Sequence, residues 1–146
     1  MANSDFRTTF LVDQSPKEAY NAINNVDAWW QGEIKGKSNK INDEFTYRMD
    51  DIHFSIQKVI ELIPNKKVAW LVTDSKLAFT KNKSEWTGTE IVFEISEKKN
   101  KTEVCFTHKG LVPKCECYGD CSNAWTQLVQ KSLVSLITTG KGKKVF

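Results

Sequence analysis

Near its C-terminal end the chain reads CYGDCSNAWTQLVQKSLVSLITTG, residues 117–140. Small and apolar residues recur there at steps of three and four, which is the period of an amphipathic helix. These positions are Cys117, Cys121, Trp125, Leu128, Val129, Ser132, Leu133, Leu136 and Ile137. The pattern predicts one helix of about twenty residues that ends at Gly140, followed by a solvated basic tail from about residue 141.

Upstream of this segment, six runs show the two-residue alternation that is typical of β-strands. They cover residues 6–12, 43–49, 52–63, 68–72, 89–95 and 102–108. In the run 52–63, the alternation places Phe54, Ile56, Ile60 and Leu62 on one apolar face. We expect that face to point into the protein, because one face of such a sheet must be buried.

A short helix is predicted after the first strand. Ser15 suits the N-cap, Pro16 suits the first helical position, and Glu18 completes a capping box. This helix runs to about Asn25, and residues 26–30 continue as a second helical turn or a tight loop. The element order predicts an α+β fold, in which a curved antiparallel sheet of about six to seven strands wraps around the long C-terminal helix.

The composition is typical of a globular protein, and we interpret residues 1–146 as one domain. Hydrophobic residues make up 40% of the chain, which is enough for one core and excludes wholesale disorder. The 21 basic and 18 acidic residues leave a net charge of +3, a mixed surface that is not typical of nucleic-acid-binding proteins. No apolar run approaches the roughly 20 residues that cross a bilayer, and the first residues lack the features of a signal peptide. We therefore expect a cytoplasmic protein with reduced cysteines and with no membrane or nucleic-acid partner.

Short motifs spread over nearly the whole chain resemble those of a known superfamily. They are Trp29-Trp30, Glu44-Phe45, Lys58-Val59, Val68-Ala69-Trp70, Trp86-Thr87-Gly88-Thr89, and residues 107–113, 117–125 and 132–142. The chain resembles the START-like (SRPBCC) superfamily, and within it the branch named after homologues of the activator of the heat-shock protein 90 ATPase. The resemblance implies the helix-grip (START-like, pollen-allergen-like) fold with a cavity between the sheet and the long helix. It leaves the function open, because members of the superfamily include lipid carriers, co-chaperone domains and cyclases.

The expected cavity lies between the inward side chains of the sheet and those of the long helix. With the predicted strand phases, it is lined by Tyr47, Phe54, Trp70, Phe93, Phe106, His108, Trp125, Leu128 and Val129. Small-molecule pockets are mostly apolar with a few polar groups, and here the Tyr47 hydroxyl, the His108 imidazole and the indole N–H groups would orient a ligand. The same aromatic spacing also suits an ordinary packed core. Trp86 is out of phase with the run 89–95, so we expect it to face outward unless Gly88 marks a bulge.

His108 is the residue with the most distinct alternatives. It shares a face with Val104 and Phe106, so it should point inward near the start of the long helix. There it would act as an acid or base or hold a ligand oxygen. The structural alternative is a rim histidine that hydrogen-bonds a loop carbonyl. The second histidine, His53, lies beside a turn and is expected to be exposed.

The cysteines are Cys105, Cys115, Cys117 and Cys121. A structural zinc site needs four converging ligands, and only the pair Cys117 and Cys121 comes near the usual spacing. These two residues lie one helical turn apart, where cysteine behaves as a small hydrophobic residue. We predict no metal and no cofactor, with metal binding and reversible thiol oxidation as the alternatives.

The sequence contains no Gly-rich phosphate loop, nucleophile elbow or zinc-protease motif. The residues therefore predict non-catalytic binding of a small hydrophobic or aromatic molecule between sheet and helix, by a monomer or weak homodimer with no catalytic residues. The resemblance keeps two alternatives open. One is a protein-interaction module with a chaperone as its partner, and the other is a cyclase-like enzyme.

Overall fold

The structure is built on one antiparallel sheet, which has seven strands in the part of the chain that is described. A computed structural model describes residues 5–78 and 80–145. The strands are β1 (Phe6–Val12), β2 (Glu33–Gly36), β3 (Glu44–Met49), β4 (His53–Ile63), β5 (Lys67–Leu77), β6 (Glu90–Lys98) and β7 (Lys101–Lys109). Their order across the sheet is β1-β7-β6-β5-β4-β3-β2. Strands β2 to β7 thus form a meander, and β1 pairs with β7 at the far edge.

The first helix begins where the sequence predicts. Helix α1 (Pro16–Asn24) is capped by Ser15, whose hydroxyl accepts a hydrogen bond from the Glu18 N–H at 3.2 Å. The Ser15 and Glu18 side chains also hydrogen-bond each other at 3.2 Å. The first of these bonds satisfies a backbone N–H at the helix start that would otherwise be unpaired. A single 3-10 turn, Val26–Ala28, follows.

The C-terminal helix is continuous over residues 118–139 and packs against the buried face of the sheet. It consists of α2 (Tyr118–Gln127), a π-helical segment (Leu128–Leu133) and α3 (Val134–Thr139). Gly140 ends the helix with a φ of 85°, and its N–H donates to the Leu136 carbonyl at 3.0 Å. The sheet and this helix confirm the predicted α+β helix-grip fold. Within residues 5–78 and 80–145, no helix has the length and apolar character that crossing a membrane requires.

The predicted face of β4 is wrong for most of the strand. The buried positions of β4 are Ser55, Gln57 and Val59. They lie on the inner face of the sheet, where each pairs with an inward residue of β3 or β5. Phe54 lies on the outer face, where the Arg48 guanidinium sits 4.9 Å from its ring centroid. A register shift after Val59 returns Leu62 to the inner face, as predicted, but leaves Ile60 exposed, so the expectation for Ile60 is wrong. The alternation misleads here because the inner face carries polar residues and the outer face carries apolar ones.

The basic tail is only partly solvated. Its lysine side chains are exposed, as predicted, but its backbone is held against the 3-10 turn. At Gly142, an added Cβ would clash with the Ala28 carbonyl oxygen, so only glycine fits there. The Gln31 side chain accepts a hydrogen bond from the Val145 N–H at 2.8 Å and also bonds the Lys143 carbonyl.

Candidate ligand-binding cavity

A cavity of about 380 Å³ lies between α2 and the end of the sheet formed by β3 and β4. Its walls come from α2, from the β3–β4 turn and from the loops that precede β2 and β6. The lining residues are Trp30, Tyr47, Met49, Asp50, Ile52, His53, Trp86, Asp120, Cys121, Ala124, Trp125 and Leu128. The volume falls within the range of small-molecule pockets, about 300–1,000 Å³.

Five rings form a closed chain of contacts in the cavity wall, and we call this set the aromatic circle: Trp30, Tyr47, His53, Trp86 and Trp125. Trp30 stacks on Tyr47 with ring centroids 4.3 Å apart and lies 5.1 Å from Trp125. Trp125 is nearly parallel to Trp86 at 5.7 Å, and Trp86 meets His53 edge-on at 4.5 Å. The His53 and Tyr47 rings complete the circle at 5.0 Å. The rings give this part of the wall a rigid apolar surface, which suits a flat apolar or aromatic guest.

Tyr47 is held in the circle by its strand and by one hydrogen bond. It stands on β3 opposite Ser55, on the inward face of the sheet. Its hydroxyl donates to the Gln31 carbonyl at 2.5 Å. Burial raises the pKa of Tyr47 to about 12, so the phenol stays protonated at neutral pH.

Trp86 reaches the cavity from the loop between β5 and β6. A tight turn brings the Thr89 N–H within 3.0 Å of the Trp86 carbonyl, and Gly88 in that turn has a φ of 87°. Glycine adopts this left-handed conformation without the steric cost that a side chain would add. The turn directs the indole inward, and Trp86 is only 4% exposed. The expectation that Trp86 faces outward is therefore wrong, because strand alternation does not apply to a residue outside the strand.

Two carboxylates tie this loop to the start of α2. The Glu85 carboxylate accepts hydrogen bonds from the N–H groups of Glu116 and Cys117 at 2.8 and 2.9 Å. The Glu116 carboxylate in turn accepts from the Lys81 N–H at 2.9 and 3.0 Å. A carboxylate at a helix N-terminus satisfies free N–H groups and favours the positive end of the helix dipole. These bonds hold Trp86 and α2 in a fixed relative position.

His108 points inward but lies behind the cavity wall, with 0% of its surface exposed. Its Nδ1 accepts from the Trp125 indole N–H at 3.0 Å, and its Nε2 lies 2.8 Å from Thr89 Oγ1. Since an indole N–H only donates, the neutral ring carries its proton on Nε2 and donates it to Thr89. The Thr89 hydroxyl then donates to the Trp86 carbonyl at 2.6 Å. Burial, with a smaller contribution from His53, lowers the pKa of His108 to about 3.

His53 is the histidine that lines the cavity, so the expectation that it is exposed is wrong. It pairs with Met49 at the start of β4 and is partly buried between the Tyr47 and Trp86 rings. Its Nε2 lies 3.1 Å from Ser55 Oγ. Burial lowers the pKa of His53 to about 4, so the ring is uncharged at neutral pH.

The structure separates the nine predicted lining residues into three groups. Tyr47, Trp125 and Leu128 line the cavity. Five others are fully buried in the packed layer around it: Trp70, Phe93, Phe106, His108 and Val129. At these five positions the aromatic and aliphatic spacing indicates core, not cavity wall. Phe54 lies outside, in a surface depression that it shares with Arg48 and Lys83.

The predicted set omits three members of the aromatic circle: Trp30, His53 and Trp86. A signal for Trp30 was present in the pair Trp29-Trp30, since two adjacent indoles after a helix indicate a buried turn. The Trp29 indole turns into the core and donates to the Ile23 carbonyl at 3.1 Å, while Trp30 faces the cavity. The inward position of Trp86 depends on the conformation of its loop, and that of His53 depends on the phase of β4. The local spacing of residues predicts neither.

The four cysteines are free thiols. No three potential ligands among His, Cys, Asp and Glu converge on a metal position in the described residues. Hydrogen bonding to Cys121 and burial raise the pKa of the Cys117 thiol, which keeps it protonated. Cys121 contributes a small apolar surface to the cavity wall.

Solved structures share this fold. The chain is similar to the Aha1 dimer from Colwellia psychrerythraea, with a TM-score of 0.75 and 25% identity over 95% of this chain and 99% of that one. It is also similar to protein SSP2350 from Staphylococcus saprophyticus, with a TM-score of 0.69 and 14% identity over 98% of each chain. CalU16 from Micromonospora echinospora gives a TM-score of 0.64 and 12% identity over 92% of this chain and 76% of that one. The last two likenesses concern the fold alone.

No curated protein matches the chain in sequence. The family described as "Activator of Hsp90 ATPase homolog 1-like protein" matches residues 15–138. This range contains α1, strands β2 to β7 and the C-terminal helix except for its last residue, Thr139. This match confirms the resemblance that the motifs indicate. The chain belongs to the family of activator of Hsp90 ATPase homolog 1-like proteins, a branch of the START-like superfamily.

Proposed function

We propose that the chain binds a small, largely apolar or aromatic molecule in the cavity beside α2, without covalent chemistry. The observation that carries the proposal is a cavity of about 380 Å³ whose wall contains the aromatic circle. Met49, Ile52 and Leu128 add aliphatic surface to the same wall. Burial of apolar ligand surface there contributes about 25 cal/mol per Å², which is the main source of affinity.

The two titratable aromatic residues of the circle support binding rather than proton transfer. Burial shifts the pKa of His53 to about 4 and that of Tyr47 to about 12, so both are neutral over the whole middle pH range. A general acid or base works best when its pKa lies near the working pH. His108, considered above as an acid or base, does not reach the cavity, because it is fully buried behind Trp125. This also disfavours the cyclase-like alternative.

A side chain that fills the cavity is expected to abolish binding. Ala124 lies on α2 and lines the cavity, so Ala124→Phe places a ring inside it. We expect the dissociation constant of naphthalen-2-ylmethanol, measured by titration calorimetry, to rise by at least about tenfold. The reason is the loss of buried apolar area that the neutral probe would otherwise contact.

Thr126→Phe is the matched control for this experiment. Thr126 is exposed on the same helix and does not line the cavity. The control should bind the probe as the unchanged chain does. Equal binding by the Ala124→Phe variant and the unchanged chain would contradict the proposal. So would a failure of the unchanged chain to bind both this alcohol and the corresponding amine, naphthalen-2-ylmethylamine.

Protein interaction is the second candidate function. It is favoured by family membership over residues 15–138 and by the 25% identity with an Aha1 dimer. If it holds, adding the purified chain to Hsp90 should raise the chaperone's rate of ATP hydrolysis, and sedimentation should detect a homodimer. Ala124→Phe should leave such stimulation unchanged, because the cavity would not take part. If Ala124→Phe abolished both ligand binding and the stimulation of ATP hydrolysis, the two functions would depend on the same site.

A further inference from the structure

We infer that the ligand of this cavity is a cation: a flat apolar or aromatic molecule that carries an ammonium group. The inference deepens the proposed function, on which it rests, by naming the chemical class that the same cavity takes. It is carried by the charges at the cavity wall together with the arrangement of the rings.

The cavity wall is acidic although the chain as a whole is basic. Asp50 and Asp120 line it, and the described residues of its lining include no lysine and no arginine. The chain carries a net charge of +3, so two negative charges without a positive one are a local departure from the overall balance. Asp50 comes from the β3–β4 turn and Asp120 from the first turn of α2, so the charges approach from different walls.

Among the residues that the structure describes, neither carboxylate has a lysine or arginine as its ion-pair partner. The ion pairs between side chains of the described residues involve other acidic groups, at Glu33, Glu61, Glu103 and Asp13. Cations do lie near Asp50: Lys143 and Lys144 share one neighbouring depression with it, and Arg48, Lys76 and Lys83 share another. Among the described residues, none of these five forms an ion pair with Asp50. Within residues 5–78 and 80–145, the two carboxylates thus remain available to a positive charge on a ligand.

The aromatic circle adds a second attraction of the same sign. The faces of indole and phenol rings carry partial negative charge and bind ammonium groups, most strongly where water is displaced. Three indoles and one phenol stand in the cavity wall, and the circle's imidazole is neutral at neutral pH. An organic anion would be repelled both by the partial negative charge of the ring faces and by the two carboxylates.

Three naphthalenes of similar shape test the inference on the full chain: naphthalen-2-ylmethylamine, naphthalen-2-ylmethanol and 2-naphthoate. They are a cation, a neutral molecule and an anion at neutral pH. Calorimetry should give about tenfold tighter binding for the amine than for the alcohol, and the weakest binding for the naphthoate. The preference for the amine should shrink as salt is added, because salt screens charges near the surface.

The double variant Asp50→Asn with Asp120→Asn should lower the affinity for the amine to that for the alcohol, and leave the alcohol unchanged. Asp50 has a φ of 49°, a conformation that asparagine adopts readily, so the turn is kept. Asp120 also faces the positive end of α2, so urea unfolding must verify that the variant remains folded. Asp51→Asn is the matched control, because Asp51 is exposed, adjacent in sequence and outside the cavity lining.

The outcomes separate the two proposals. If the alcohol binds and the amine binds no more tightly, or if the double variant keeps the preference for the amine, the cation inference is overturned and the proposed function stands. If neither the alcohol nor the amine binds, the proposed function fails as well. Tighter binding of the amine that depends on Asp50 and Asp120, with Asp51→Asn unchanged, supports the inference.

Discussion

Lowering the pH from about 7 to about 5 is expected to reduce the free energy of unfolding by about 2 kcal/mol through His108 alone. The pKa of His108 is about 3 in the folded chain, against about 6.5 for an unfolded histidine. Between these values the unfolded chain binds a proton that the folded chain does not. The stability is therefore fully present above about pH 6.5 and is lost as the pH falls towards about 3. His53, whose folded pKa is about 4, adds a smaller loss in the same direction because it is partly exposed.

The hydrogen bonds of His108 explain why the folded chain resists this proton. Protonation would turn Nδ1 into a donor that faces the donor N–H of Trp125 at 3.0 Å, in a site without water contact. Urea unfolding at several pH values measures the slope, and His108→Gln should make it shallower because glutamine does not titrate. His53→Gln should remove the smaller part. An unchanged slope in the His108→Gln variant would contradict the prediction, since carboxylates titrate mostly below this window, near pH 4.

The parts of the fold that depend on neighbours in sequence could be predicted. The cap formed by Ser15 and Glu18 and the helix stop at Gly140 are local hydrogen-bond patterns that three to five residues determine. The C-terminal helix could be predicted because its apolar residues, spaced three and four apart, form one stripe that is buried when that side of the helix packs on the sheet. Strand β2 had no counterpart among the predicted runs, because Glu33–Gly36 has only four residues and one large apolar side chain.

Two of the five members of the aromatic circle, His53 and Trp86, lie there because of contacts that no local sequence pattern reports. The inner face of β4 carries Ser55 and Gln57, so the apolar alternation identified the outer face as the buried one. Because of this error in the phase of β4, the sequence did not predict that His53 lines the cavity. Trp86 faces inward only because a turn at Gly88 and the carboxylate of Glu85 fix its loop against α2.

Truncation of Trp125 should destabilise the chain by about 3–5 kcal/mol, the range for a buried tryptophan replaced by alanine. Trp125 is 1% exposed and its ring lies 5.1 Å from Trp30, 5.7 Å from Trp86 and 4.7 Å from Phe106. The space left by Trp125→Ala would join the existing cavity, so the surrounding residues cannot collapse to fill it. The variant also leaves Nδ1 of His108 without its donor. Urea unfolding at neutral pH measures the loss.

A second variant at this position separates the loss of packing from the loss of the hydrogen bond, and a surface variant serves as the control. Trp125→Phe keeps a ring but removes the N–H, and should cost about 1–3 kcal/mol, the penalty for an unpaired buried group. Leu11→Ala, at a residue that is 54% exposed on β1, should change stability by no more than about 0.5 kcal/mol. Free 3-methylindole should restore part of the stability of Trp125→Ala by occupying the vacated space, and should do less for Trp125→Phe. A loss in Trp125→Ala no larger than in Trp125→Phe would mean that the ring contacts contribute little, and that Trp125 acts on the fold mainly through His108.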